Sequence, residues 1–199
     1  MVETKQALID ATVAHLDANG LDGLTLRQIA RDAGVSHGAP LRHFASLSAL
    51  LSAVAAASFE TMTETIRLRS VRLDGDPLGQ LLEAGRGYVD FATTNPGSYQ
   101  LMFSPERLDR SDPAYLRASI AAYDQLAILT SVAQSTGWRS DTPQGSLTAV
   151  LWAGVHGIAS LQIQGAFPAG TGADDLDGLL DVFQIDLAGL SINDDRSNT

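Results

Sequence analysis

The stretch that decides the fold is TLRQIARDAGVSHGAPLRHF, residues 25–44. Thr25 opens it as an N-cap, and Gln28 follows at the three-residue spacing of a capping box. Leu26, Ile29 and Ala30 then share one face of a short helix reaching about Ala33. Gly34 supplies the positive φ that turns the chain. Ser36 can cap a second short helix reaching about His43. Two short helices about a glycine turn form the pattern of a helix-turn-helix. Ala30 is small enough for close helix approach, Val35 is placed to plug the junction, and Phe44 to pack against the first helix of the chain. The second helix is then free to lie in the major groove of DNA.

The flanks extend the pattern. Before it, a helix over 4–19 aligns Leu8, Ala11, Thr12 and Leu16 on one face, and Gly20 ends it. After it, Ser46 caps a long helix to about Arg69, with Leu47, Leu50, Leu51 and Val54 inward. Residues 5–55 resemble the TetR family: an amphipathic first helix ending in Asn-Gly, then T-x-R-x-I-A-x-x-A-G-V-S, then R-H-F, then the pair Leu50-Leu51. Trp152, Ala153, Val155, His156 and Gly157 resemble the W-x-x-V-H-G segment of one subgroup of such proteins, and Ala39-Pro40 is a habit of a subgroup too. Two positions depart from the family pattern. Leu41 stands where a tyrosine is usual and Leu47 where a lysine is usual, and both usual residues touch DNA phosphates. Losing one lysine contact weakens binding uniformly across sequences and lowers the salt slope by about 1.

The rest of the chain reads as helix with clear punctuation. Residues 70–76 form a polar linker. Asp76-Pro77, Asp112-Pro113 and Thr142-Pro143 each place a capping residue before a proline at the first helical position. They predict helices near 77–94, 113–136 and 143–165. Asn95-Pro96-Gly97 breaks the first of these from a short helix near 97–103, and Asp174 opens a last helix to about Leu190. The expected architecture is all-α with about nine helices. A helix-turn-helix DNA-binding head covers 1–50, an effector-binding and dimerisation body covers 51–192, and 193–199 forms a polar, disordered tail. The resemblance implies nine or ten helices, in agreement.

Bulk composition narrows the function classes. Apolar residues make up 45% of 199, enough for a real core. Cysteine is absent, which excludes disulfides and thiolate metal sites. The N-terminus lacks a signal-peptide profile. No uninterrupted apolar run reaches the ~18 residues of a membrane span. A soluble, cytoplasmic protein is expected. Net charge is −10, but it is unevenly spread. Residues 1–55 carry four basic side chains (Lys5, Arg27, Arg31, Arg42) against five acidic (Glu3, Asp10, Asp17, Asp22, Asp32); the remainder carries −9. Such a chain binds random DNA weakly, because phosphate neutralisation supplies that affinity.

Candidate DNA-binding residues are Thr25, Arg27, Ser36, His37, Ala39, Arg42 and His43. Thr25 and Ser36 can serve as caps alone, or as caps lying beside phosphates. Arg42 can clamp a phosphate or pair with guanine, His37 can donate to a base edge, and Ala39 can touch a thymine methyl. Arg67, Arg69 and Arg72 suit a helix C-terminus, with an effector-acid clamp as the alternative. Candidate effector-binding residues are Tyr88, Tyr99, Phe103, Tyr123, Trp152 and His156, which can equally be core. No catalytic or metal constellation emerges, and no cofactor is expected. The family likeness implies a homodimer on a pseudo-palindromic double-stranded operator, repressing until a small effector releases it. The last two long helices, with Leu147, Val150, Leu151, Val155, Ile158 and Leu161 on one and Leu176, Leu179, Leu180, Phe183 and Leu187 on the other, would pair across the two-fold axis. The main alternative is a helical ligand-binding protein with weakened or lost DNA binding, motivated by Leu41 and Leu47. An enzyme on the same body would need an acid such as Asp124 beside His156.

Overall fold

The computed structural model describes residues 2–168, 170 and 178–180. Among them, eight α-helices and one 3₁₀ turn form the regular structure, and no strand occurs. The helices are α1 (Val2–Asn19), α2 (Leu26–Asp32), α3 (Ala39–His43), α4 (Leu47–Ser70), α5 (Pro77–Thr94), α6 (Pro96–Met102), α7 (Pro113–Ser135) and α8 (Gln144–Ile163). The 3₁₀ turn, Val71–Leu73, follows α4. The expected helix over 174–190 lies outside the described residues except for helical 178–180, and the expected tail lies wholly outside them.

The caps read from the sequence act as chemistry predicts, with three differences. Thr25 Oγ1 accepts from Gln28 N at 3.2 Å, Ser46 Oγ from Ala49 N at 3.1 Å, and Asp76 Oδ1 from Gly79 N at 3.0 Å. Asp112 Oδ1 accepts from both Ala114 N (2.8 Å) and Tyr115 N (2.9 Å). The capping box at Thr25 is half made, because Gln28 spends its side chain on Asp32 (2.7 Å) and Arg31 instead. Ser36 does not cap α3. The N-cap is Gly38, with no side-chain bond, and the Ser36 carbonyl accepts from Ala39 N at 2.9 Å. The α8 helix starts one residue later than expected, with Pro143 as its N-cap. The turn after α2 closes as a Schellman motif: Val35 N reaches Ala30 O (2.9 Å) and Gly34 N reaches Arg31 O (3.1 Å), with Gly34 at φ +66°.

Helices of seven and five residues are too short to persist alone, so packing must hold α2 and α3. Leu8, Leu16, Ile29, Leu50 and Val54 are fully buried in one cluster, with Phe44 and Leu51 beside them. Each such side chain contributes about 1.5–3 kcal/mol of transfer free energy. Phe44 packs under α1, where Lys5 Nζ lies 5.6 Å from its ring centroid. The His15–Asp32 pair (3.2 Å) adds a second tie between α1 and α2.

This head core does not stop at residue 50. Leu101 of α6 and Leu108 belong to it, and α4 runs through the expected division. Leu50, Leu51 and Val54 of α4 serve the head, while Phe59, Met62 and Ile66 serve the body core. The α6 helix touches α1 so closely that a Cβ on Gly97 would lie 2.1 Å from the Leu16 carbonyl oxygen. Ser98 N donates to Asp17 Oδ1 at 3.1 Å at the same junction. Gly97, expected where the break gives way to a short helix, is the second residue of α6, and the close approach of α1 requires a glycine there.

In the body, α5 and α7 pack along α4, and α8 packs against α5 and α7. Arg69 binds Glu83 (2.9 Å) and Asp90 of α5, and Arg67 binds Glu64 (2.7 Å). Both arginines thus have carboxylate partners within the protein.

Candidate functional site

The head exposes Thr25, Arg27, Ser36, His37 and Arg42, while His43 is half-buried. His37 lies in the turn before α3, not in the helix, and Ser36 precedes it in the same connection. Neither Arg27 nor Arg42 has an ion-pair partner among the described residues, so both guanidinium groups are available to phosphate or base. Ala39 is different. It is 7% exposed, and Pro40 beside it is fully buried, so this end of α3 faces the head core and leaves Ala39 little surface to offer a thymine methyl. The outer face belongs to Leu41, 63% exposed, and Arg42. Leu47 is half-buried against the head core, which accounts for an apolar residue there.

The body encloses a cavity of about 280 Å³. Its walls come from α4 (Phe59, Met62, Ile66), α5 (Leu81, Leu82, Ala84, Gly85, Tyr88) and α7 (Tyr115, Ser119, Ala122, Tyr123, Gln125, Leu126, Leu129). Met102, Phe103, Trp138, Leu151, Trp152, Val155 and Leu180 complete it. The volume sits near the lower end of the ~300–1,000 Å³ usual for ligand pockets. Four of the six expected effector residues line it directly: Tyr88, Phe103, Tyr123 and Trp152. Tyr123 and Trp152 are each 39% exposed and meet edge to face at 6.0 Å, forming a rim open to solvent.

Tyr99 and His156 stand behind the wall rather than on it. Tyr99 Oη lies 2.7 Å and Tyr88 Oη 2.9 Å from His156 Nδ1. The His156 ring packs against Phe103 at 4.6 Å. Burial pushes the His156 imidazole below its ordinary value and pushes both tyrosine hydroxyls up. A neutral imidazole accepts one hydroxyl proton at Nδ1 at a time. The cluster therefore orients Tyr88. The hydrogen-bond partners of His156 are tyrosines, while Asp124 is exposed on α7. Among the described residues, no carboxylate hydrogen-bonds His156.

Sequence reasoning missed Gln125 and Trp138. Gln125 Oε1 and Trp138 Nε1 are buried without a hydrogen-bond partner among the described residues, and both residues line the cavity. Neither belongs to a periodic apolar stripe, so no pattern signals them. Only the convergence of α4, α5 and α7 does.

Comparison with known proteins agrees with this architecture. Residues 8–54 match the model of bacterial regulatory proteins of the tetR family. Residues 81–184 match the tetracyclin repressor-like C-terminal domain. The chain is 35% identical over 92 residues to the HTH-type transcriptional regulator BetI of Serratia proteamaculans, an alignment spanning 46% of each protein. It is 24% identical to the uncharacterized HTH-type transcriptional regulator YobS of Bacillus subtilis, over 96% of this chain and 94% of that one. A solved structure from Rhodococcus sp. RHA1, of unknown function, superposes with a TM-score of 0.81 at 28% identity, covering 93% of this chain and 95% of that one. With both halves of the fold matched, the helix-turn-helix at the N-terminus and the helical body behind it make the chain a transcriptional regulator of the TetR family.

Proposed function

We propose that the protein is a homodimeric repressor that binds a pseudo-palindromic operator and is released when a small molecule enters the body cavity. The observation that carries this reading is that two helices serve both the head and the cavity. The α4 helix contributes Leu50, Leu51 and Val54 to the head core and Phe59, Met62 and Ile66 to the cavity wall. The α6 helix abuts α1 through Gly97 and Ser98 and ends at the cavity residues Met102 and Phe103. A ligand that displaces either wall thus bears on the head. A ligand shifts the equilibrium only by its differential affinity for the two arrangements. Couplings of this kind are typically about 1–3 kcal/mol. Arg27, His37 and Arg42 are the proposed DNA contacts, with Thr25 and Ser36 beside phosphates.

The α8 helix supports the dimer. By length and composition it is apolar enough to cross a membrane, yet only 28% of its apolar window is buried. Leu147, Leu151, Val155 and Ala159 face α5 and α7, while Val150 and Leu161 are exposed. A second copy of this face would cover them, and two-fold symmetry would then set two half-sites about one helical turn, or a multiple, apart.

The test is enrichment of pooled genomic DNA fragments on the purified protein at low and moderate salt, followed by anisotropy on the retained site. Salt-sensitive binding to a pseudo-palindrome is expected. A folded dimer that enriches no fragment at any salt would overturn the repressor reading and favour a ligand-binding protein whose head no longer reads DNA, as the exposed Leu41 allows.

A further inference from the structure

We infer that the cavity selects an uncharged, mainly apolar molecule carrying a hydrogen-bond donor for Gln125 Oε1 and a separate acceptor for the Trp138 indole N–H. This rests on the effector-binding reading above and gives that effector a chemical class.

Charge is the first constraint. Among the described residues lining the cavity there is no Asp, Glu, Lys, Arg or His. A carboxylate or ammonium buried there would meet no counter-charge, and an unpaired buried charge is far costlier than an unpaired dipole. The arginines of the neighbouring α4 terminus do not help, because Arg67 and Arg69 are held by Glu64, Glu83 and Asp90.

The polar atoms of the wall are the second constraint. The Tyr88 hydroxyl is engaged by His156, and the Ser119 hydroxyl donates to the Leu116 carbonyl at 3.1 Å. Gln125 Nε2 donates to the Thr63 carbonyl at 3.2 Å. That bond orients the amide and leaves Oε1 as the free atom. Among the described residues Gln125 Oε1 is buried with no partner, and it can only accept. Trp138 Nε1 is also buried with no partner, and it can only donate. Buried polar groups of native proteins are nearly always paired, so two orphans on one cavity wall need an explanation. A ligand that pairs both removes two desolvation penalties at once. Gln125 sits mid-way along α7, whereas Trp138 follows its end. The two residues are thirteen positions apart, so the donor and the acceptor are assigned to separate groups of the ligand.

Both tryptophans of the chain, Trp138 and Trp152, line the cavity, so intrinsic fluorescence reports occupancy directly. The probes are octanol, octanoate and octylammonium, equal in length and different in charge, with octyl methyl ether as the neutral probe lacking a donor. Octanol is expected to bind at least about tenfold tighter than either ion and several-fold tighter than the ether. Gln125→Leu should abolish the advantage of octanol over the ether, and Gln125→Glu should turn the preference towards octylammonium. Trp138→Phe keeps an aromatic ring without the N–H and should remove the preference for 2-octanone over octane, with Trp152 still reporting. That variant and the unmodified protein keep the test decisive should a Gln125 variant fold poorly. An ion that binds as tightly as octanol, or no quenching by any probe at its solubility limit, overturns the inference. Operator binding measured without probes separates the two ideas. Retained operator binding with an ion preferred leaves the regulator standing and this inference refuted. A preferred neutral probe with no operator found does the reverse.

Discussion

Replacing Gly97 by alanine tests the junction between the cavity and the DNA-binding head. The added Cβ would lie 2.1 Å from the Leu16 carbonyl oxygen and 2.4 Å from its carbonyl carbon, where ordinary contact begins at 3.4 Å. Both obstructing atoms are backbone, so no side chain can swing aside. The α6 and α1 backbones must separate by about 1.3 Å, the gap between the distance found and the ordinary one. Overpacking of this kind costs about 1–3 kcal/mol. The same displacement stretches the Ser98 N–H bond to Asp17, now 3.1 Å. For a chain of this size each kcal/mol lowers Tm by about 2–4 °C, so the variant should melt roughly 2–12 °C lower. Urea unfolding followed by circular dichroism gives the free energy, and scanning fluorimetry gives Tm. Gly145→Ala is the control, since its Cβ enters open space on α8 and should leave stability unchanged or slightly raised. A Gly97→Ala protein within about 0.5 kcal/mol of the parent, the range of an ordinary surface substitution, would refute the close packing. It would remove α6 as a rigid link to the head.

Other outcomes follow from the same geometry. Arg42→Ala should weaken operator binding and lower the salt slope by about 1 if Arg42 holds a phosphate; an unchanged slope with altered sequence preference would assign it to a base edge instead. Leu41→Tyr, which supplies a hydroxyl on the outer face of α3, should tighten operator binding in anisotropy, and no gain would place Leu41 away from the phosphates. Burial holds His156 below its ordinary value, so on acidification the unfolded chain binds that proton first. Stability should therefore be unaffected above about pH 6.5 and fall as pH drops from there towards the depressed folded value. His156→Gln should flatten that fall in urea titrations, and parallel curves would contradict the assignment. Val150→Glu, on the exposed strip of α8, should shift the protein from dimer to monomer in light scattering at micromolar concentration, and an unchanged mass would move the interface elsewhere.

Much of this protein was readable from its amino-acid order because the signals are local. Thr25, Ser46, Asp76 and Asp112 each cap a helix within a few residues of themselves, and Gly34 turns the chain through its own φ, so short-range chemistry suffices. The inward faces of α2 and α4 likewise follow from the spacing of Ile29, Ala30, Leu50 and Val54. Local reading failed where a partner from elsewhere in the chain intervened. Ser36 lost the cap because a turn places Gly38 at the start of α3, and Ala39 turned inward because that end of α3 packs into the head. Position 97 must lack a Cβ because the backbone of Leu16, eighty-one residues earlier, approaches it. Tyr99 and His156 became supports, and Gln125 and Trp138 became cavity polar atoms, only when α4, α5, α7 and α8 met. Sequence determined where helices begin and end, since a cap or a glycine acts within one turn. Tertiary structure decided which side chains share a wall, since that depends on helices brought together from distant parts of the chain.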